Sequence, residues 1–219
     1  SLFLRLLGVI FFAAFTSLAV QILCLIGHDG ILPAADLMRA AGEQLGSKGY
    51  QVLPTLCWLS SSDDFLRFLS WGGAGLSALL VLGIAPRLII PLLWAFYLSL
   101  IVVGRDFLSF QWDMLLLETS FLAMFLAPRG FWPRFAESPP PKTVLWLLRW
   151  LLFRLMFQSG CVKLLSGDPT WHGLTALYYH YETQPLPTWI GWYAHQLPAL
   201  FQRLSVAVMF AIELAVPFL

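Results

Sequence analysis

The sequence has little charge. Only 11% of its 219 residues are charged, with 13 basic and 12 acidic side chains. A soluble domain of this length carries roughly a quarter charged residues, so the composition excludes an ordinary water-soluble protein. The net charge is only +1, whereas a nucleic-acid-binding domain carries an excess of basic residues. We therefore expect no nucleic-acid partner.

Cysteine and metal-ligand patterns are also scarce. The three cysteines, Cys24, Cys57 and Cys161, include no CxxC pair and cannot form a disulfide framework, although a bond between Cys24 and Cys57 stays open. His172 and His180 are eight residues apart, which is not the i, i+4 spacing of a helical metal pair. No metal site is predicted, and the residues alone identify no cofactor.

Long apolar runs are what the sequence does contain. Hydrophobic residues make up 59% of the chain, and the mean hydropathy is +0.76. The runs are continuous, whereas a transmembrane β-barrel alternates apolar and polar residues. The sequence therefore predicts an all-α, polytopic transmembrane helix bundle. About six segments approach the 20 or so apolar residues that a span needs, and they are Leu2–Ile26, Phe65–Ile84, Leu88–Val103, Phe110–Ala127, Val144–Leu165 and Leu200–Leu219.

The distribution of lysine and arginine predicts the orientation. With a cytoplasmic N-terminus, most loop cations fall on the cytoplasmic side, as the positive-inside rule requires. The linker 128–143 is then cytoplasmic, and the long loops 28–64 and 166–199 face outward. The chain begins and ends within apolar runs, so we interpret 1–219 as a single transmembrane domain at the N-terminal part of a longer protein, with its first run a retained signal anchor.

The second outer loop is predicted to contain short interfacial helices. Asp168 followed by Pro169 is a helix-start signal, and it predicts a helix through about Tyr181. Aromatic residues at helical spacing indicate that this segment lies in the membrane interface. Trp189 and Trp192 indicate a second interfacial piece.

Charged residues within the apolar runs are the functional candidates, because an intramembrane charge is costly. Counting about 1.5 Å per residue from the outer helix ends, we expect Asp113 to pair with Lys163 near the surface. A deeper, structural ion pair is expected between Glu118 and Arg154, with the Gln158 amide beside it. For Glu118, this structural role and a catalytic role are both open.

Lys163 could act as a base. Its apolar neighbours favour the neutral amine, and Gly160 allows another backbone to approach. Lys163, Asp113 and Glu118 are thus the candidate catalytic residues, and a snorkelling lysine at the membrane boundary is the alternative. The candidate binding residues are those of the polar, aromatic segment that follows: Trp171, His172, His180, Tyr181, Glu182 and Gln184.

Several of these stretches resemble one family. Gly27–Pro33, Leu53–Thr55 and Phe107–Pro128 are similar to segments of the lipase maturation factors. Arg149–Trp171 followed by Thr175–Pro187 is close to a signature of that family. Together the matching segments extend, in order, over nearly the whole chain.

The resemblance implies a multi-span membrane protein that in animals lies in the endoplasmic reticulum (ER) and helps secreted lipases reach their active dimeric form. It implies the lipid bilayer and a secreted lipase client as partners, and a chaperone-like role in protein maturation. A bacterial relative would lie in the inner, cytoplasmic membrane. The family's C-terminal part is absent from this sequence.

A more distant likeness concerns Lys163. Gly160-x-x-Lys163-Leu164, followed by Trp171, is similar to the vitamin K-dependent γ-carboxylase and its HTTM-domain relatives. That likeness implies a membrane enzyme in which Lys163 acts as a base toward a lipid-soluble cofactor or substrate, although no glutamate-substrate site is recognisable. A transporter with a proton relay is the least favoured interpretation, because no inverted repeat is present.

Overall fold

A computed structural model describes residues 2–128, 130–131, 140–184 and 188–219, and this part of the chain is helical without a strand. The predicted all-α class is therefore confirmed. The contacts divide the chain into two compact units, Ser1–Leu145 and Trp146–Leu219. Each is described by itself, and the single domain expected from the sequence stays a prediction.

The helices follow the predicted runs with adjusted ends. The first seven are α1 (Leu2–Ala19), α2 (Ile22–Ile26), α3 (Ala34–Leu45), α4 (Gly49–Val52), α5 (Asp63–Leu82), α6 (Pro86–Gly104) and α7 (Gln111–Met124). The others are α8 (Lys142–Leu165), α9 (Pro169–His172), α10 (Leu177–Thr183), α11 (Trp189–His195) and α12 (Ala199–Phe210), which continues as a π-helical turn, Ala211–Ala215, and a 3₁₀ turn, Val216–Phe218.

Several helices are suited to crossing a membrane. Within the described ranges, four are long and apolar enough: Leu2–Ala19, Asp63–Leu82, Pro86–Leu108 and Ala199–Phe218. Of the two other expected spans, α7 has only 14 residues and α8 carries several cations along its 24 residues. Because it contains these long apolar helices, the chain is an integral membrane protein. The expected number of six spans stays a prediction.

The first apolar run is not one helix, as the sequence suggested, but two. α1 ends at Ala19, and α2 begins at Ile22. At the junction the Gln21 N–H donates to the Leu18 carbonyl three residues back, and φ of Gln21 is −124°. The two residues Val20 and Gln21 therefore form a turn between the helices.

Helix starts lie where the polar and proline residues predict them. The Ser62 hydroxyl accepts the Phe65 N–H at 3.3 Å and caps α5. Pro86 occupies the first position of α6, where its missing N–H costs nothing. These signals depend only on neighbouring residues, which is why the sequence reveals them.

The first unit is built around the contact between α1 and α5. Phe15 is fully buried, and its ring lies where a side chain at Gly73 would be, since a Cβ there would approach ring carbons to 2.4 Å. Membrane helices use small residues for this kind of close approach. Tyr97 from α6 closes the cluster with its ring edge against Phe11 and Phe15.

Loops 28–64 and 166–199 are named the first and second outer loops after their predicted orientation. The first is folded onto the C-terminal part of α6. The Leu56 N–H donates to the Ser99 hydroxyl at 2.9 Å, and the Thr55 hydroxyl donates to the Ser99 carbonyl at 3.1 Å. Cys57, next to these residues, is buried, and burial raises the pKa of its thiol. The cysteines of the described residues are all free.

The second outer loop begins as predicted but breaks earlier. Asp168 caps α9 by accepting the Thr170 N–H at 2.9 Å, and this bond, with one from the Thr170 hydroxyl, lowers the pKa of Asp168. The expected continuous helix to Tyr181 is wrong. α9 ends at His172, because Leu174 has a positive φ of 55° and the Thr175 N–H turns back to the Thr170 carbonyl.

Candidate functional site

The second unit contains an ion pair between Lys163 and Glu213. The ammonium Nζ lies 2.7 Å from one carboxylate oxygen of Glu213 and 2.9 Å from the other. The two side chains are only 21% and 13% exposed. Lys163 occupies the last turn of α8 and Glu213 the π-helical turn after α12, so the pair joins segments fifty residues apart.

Gly160 makes this approach possible. A Cβ at Gly160 would come within 2.6 Å of a methyl carbon of Leu214 and within 3.2 Å of Cβ of Glu213. The π-helical turn therefore packs directly on the backbone of α8, one turn before Lys163. The sequence predicted a close approach at Gly160, and the structure confirms it.

Two further groups surround the ammonium. Ser159 offers its carbonyl at 3.3 Å and its hydroxyl at 3.4 Å. The Trp171 ring lies with its centroid 5.7 Å from Nζ, which is within the range of a cation–π contact. Trp171 in turn meets Phe210 edge-on at a centroid distance of 6.2 Å. The Glu213 carboxylate, the Ser159 hydroxyl and the Trp171 ring thus surround the ammonium of Lys163.

Loop residues close the end of α8 beside the pair. The Ser166 hydroxyl donates to the Lys163 carbonyl at 2.8 Å, and a ring nitrogen of His172 lies 3.0 Å from the Leu164 carbonyl. These bonds satisfy carbonyls that a helix end leaves without partners. His172, expected to bind a ligand, is thus placed where it caps a helix.

The other expected binding residues lie on and after α10. Glu182 lies with one carboxylate oxygen 3.0 Å from Nε2 of His195 on α11. Tyr181 presents its ring to His180 and to His195, and the amide of Gln184 lies beside Gly191. The sequence pattern did not single out His195, because nothing local indicates that α11 folds back on α10. Ligand binding by these residues stays a prediction.

Asp113 has a different partner from the one expected. It is 3% exposed in the first turn of α7, and the Tyr97 hydroxyl donates to its Oδ1 at 2.5 Å. Its Oδ2 is buried without a hydrogen-bond partner among the described residues. The predicted pair of Asp113 with Lys163 would join the two units and stays a prediction, while within the second unit Lys163 is held by Glu213.

The expected deeper pair of Glu118 with Arg154 would join the two units. Glu118 lies on α7 in the first unit, while Arg154 and Gln158 lie on α8 in the second. Their association stays a prediction, as do the catalytic roles of Asp113 and Glu118.

The chemistry of the site follows from its contacts. A base must present a neutral amine to a substrate, yet Lys163 faces both oxygens of a carboxylate. These contacts are those of a structural clamp between α8 and the π-helical turn, and a role of Lys163 as a base stays a prediction. No group of three metal-binding side chains occurs in the described part of the chain.

Comparison with known proteins identifies the relationship. The family model of the lipase maturation factor transmembrane domain matches residues 1–219. The chain belongs to the lipase maturation factor family. No solved structure matches it.

Individual lipase maturation factors are similar over the whole chain. Lipase maturation factor 2 of Gallus gallus is 50% identical over 227 residues, which cover 100% of this chain and 32% of that protein. The Homo sapiens lipase maturation factor 2 is 46% identical over 99% of the chain and 33% of its own length. Lipase maturation factor 1 of Mus musculus is 39% identical over 98% of this chain and 39% of its own length. The chain thus spans about a third of the length of the curated relatives it matches.

The segments that indicated the family have clear structural roles. Gly27–Pro33 forms a tight turn after α2, in which the Ile31 N–H returns to the Cys24 carbonyl at 3.1 Å. The Arg105 guanidinium donates to the carbonyls of Leu32 and Pro33 at 3.2 and 3.4 Å. In this member of the lipase maturation factor family, the motif Gly27–Pro33 is therefore held against the C-terminal end of α6 by Arg105.

Proposed function

We propose that this chain is the membrane-embedded part of a maturation factor that assists the folding and assembly of secreted lipases. The match of the lipase maturation factor domain to the whole chain carries this proposal. The relatives are named as maturation factors, and the chain, which covers about a third of their length, contains helices long and apolar enough to span a membrane. The client would be a secreted lipase, and the membrane would be that of the ER.

The geometry supports an assembly role over an enzymatic one. Lys163, the residue on which an enzyme mechanism would depend, is engaged by Glu213, Ser159 and Trp171. The first outer loop is packed against helix ends through hydrogen bonds between side chains and main-chain carbonyls, as at Ser99 and Arg105. Such loops form a fixed surface, which is what a folding factor needs to present to a client.

A lipase secretion assay tests the function. Cells without lipase maturation factors would express a secreted dimeric lipase together with the full-length protein. We expect the specific activity of the secreted lipase, per mass of lipase antigen, to rise well above that of the empty-vector control. Equal specific activity with and without the protein, at normal expression, would exclude the proposed client class.

We further propose that the N-terminus is cytoplasmic and that loops 28–64 and 166–199 face the lumen. In the first outer loop, Leu45 at the end of α3 is followed by Gly46 and Ser47. Leu45→Asn therefore creates an Asn-Gly-Ser glycosylation acceptor by a single change.

The glycan should be visible on a gel. In ER microsomes we expect Leu45→Asn to gain one glycan that endoglycosidase H removes, while the matched Leu45→Gln variant gains none. An unglycosylated Leu45→Asn protein that is otherwise inserted and stable would argue for the opposite orientation.

A further inference from the structure

One face of α8 carries a stack of four aromatic rings, here named the aromatic strip: Trp146, Trp150, Phe153 and Phe157. Successive ring centroids are 6.1, 5.3 and 5.5 Å apart, and the interplanar angles are only 6°, 17° and 16°. Eleven residues separate the first ring from the last, which corresponds to about 16 Å of helix. The strip is therefore a continuous row of stacked aromatic rings, nearly as long as a lipid acyl chain.

The strip is closed at one end and open at the other. Phe218 meets Phe153 and Phe157 edge-on at 5.2 and 5.4 Å. Toward the start of α8, Trp146 and Trp150 are 62% and 50% exposed. An occupant would thus lie along the rings and have its polar end beside the two tryptophans.

Arg149 lies at this open end. It is exposed and adjoins Trp150 in sequence, and among the described residues it has neither a hydrogen bond nor an ion pair. It occurs seven residues into α8, which is about 10 Å along the helix. A cation on a membrane helix needs an anion or a route to water. Trp146, three residues before Arg149, and Trp150, directly after it, are both exposed.

We propose that Arg149 and the aromatic strip bind one anionic glycerophospholipid. The guanidinium would hold the headgroup phosphate through paired N–H donors, and one acyl chain would lie along the rings. The charge of Arg149 favours an anionic lipid over a zwitterionic one, and the apolar rings of the strip favour a lipid over a free phosphate. With a cytoplasmic N-terminus, the site faces the cytoplasmic leaflet, where anionic lipids are concentrated.

Native mass spectrometry of the purified full-length protein tests the site. We expect the wild type to retain dioleoyl phosphatidylserine about fivefold more strongly than dioleoyl phosphatidylcholine, since a basic residue near the membrane surface contributes about that factor. Arg149→Gln should abolish the preference, and Trp150→Leu should weaken retention of both lipids. Arg203→Gln, which removes an exposed arginine of α12 in the same unit, is the matched control and should leave the preference unchanged.

Two results would overturn the proposal. One is equal retention of the two lipids by the wild type, which is also the outcome if the remainder of the full-length protein covers the strip. The other is equal loss of preference in Arg149→Gln and Arg203→Gln, since the selectivity would then reflect overall charge.

A competition experiment supplies a further test. Soluble glycerophosphoserine, which has the headgroup but no acyl chains, should not displace the bound lipid. Displacement would also overturn the proposal, because it would show a phosphate site without a role for the rings. If Arg149→Gln does not yield folded protein, Arg149→Lys keeps the charge without the paired donors and should lower the preference.

Discussion

Replacing Lys163 by methionine should destabilise the protein by about 3 kcal/mol, because it leaves the Glu213 carboxylate without its counter-charge in a site that is nearly closed to water. The lost ammonium also removes the bonds to Ser159 and the contact with Trp171. The change should appear as a large fall in the folded fraction after detergent extraction and in the melting temperature. Both can be followed by size-exclusion chromatography after heating.

Variants of the partner decide whether the pair is structural. Lys163→Met combined with Glu213→Leu removes both charges and should recover most of the lost stability, since an apolar pair can replace a buried ion pair. Arg203→Gln is the control for loss of an exposed cation from the same unit. The clamp would be refuted if Lys163→Met kept wild-type stability. If the same variant also failed to support lipase maturation, the lysine would act as a chemical group and the base hypothesis would return.

Features that depend on adjacent residues could be predicted from the sequence. The all-α class, the cap at Ser62, the proline start at Pro86 and the start of α9 at Pro169 are all local. The break at Leu174 was missed because φ above zero is uncommon outside glycine, and no residue type there demands it.

The partner of Lys163 was missed for a geometric reason. The depths compared in the sequence were those of charges in the fourth and fifth predicted spans, whereas Glu213 lies in the last one. In the structure Gly160 meets Leu214 and Phe157 meets Phe218, so the end of the last helical segment lies beside α8. This contact brings the Glu213 carboxylate to Lys163. In the sequence, Gly160 indicated a close contact at this point of α8, but it did not identify Glu213 as the partner of Lys163.

Gly27→Ala should have the second large effect, with a cost of about 3 kcal/mol. A Cβ at this position would lie 2.5 Å from the Leu23 carbonyl oxygen and 2.8 Å from the Leu23 Cα, and neither backbone atom can rotate away. The Gly27 N–H bonds the same carbonyl at 3.0 Å, so the turn would have to open. Thermal unfolding of the detergent-extracted protein measures the loss.

Opening this turn also releases its long-range contacts. The His28 N–H donates to Oδ1 of Asp63 at the start of α5, and the Leu32 carbonyl accepts from Arg105 after α6. Gly75→Ala is the matched control, because a Cβ added at Gly75 would have no neighbouring atom within 4 Å and the residue lies in a regular helix, where alanine is favoured. We therefore expect Gly75→Ala to be neutral or slightly stabilising and Gly27→Ala to lose folded protein. Equal melting temperatures for the two variants would mean that the turn yields without cost and does not fix the first outer loop.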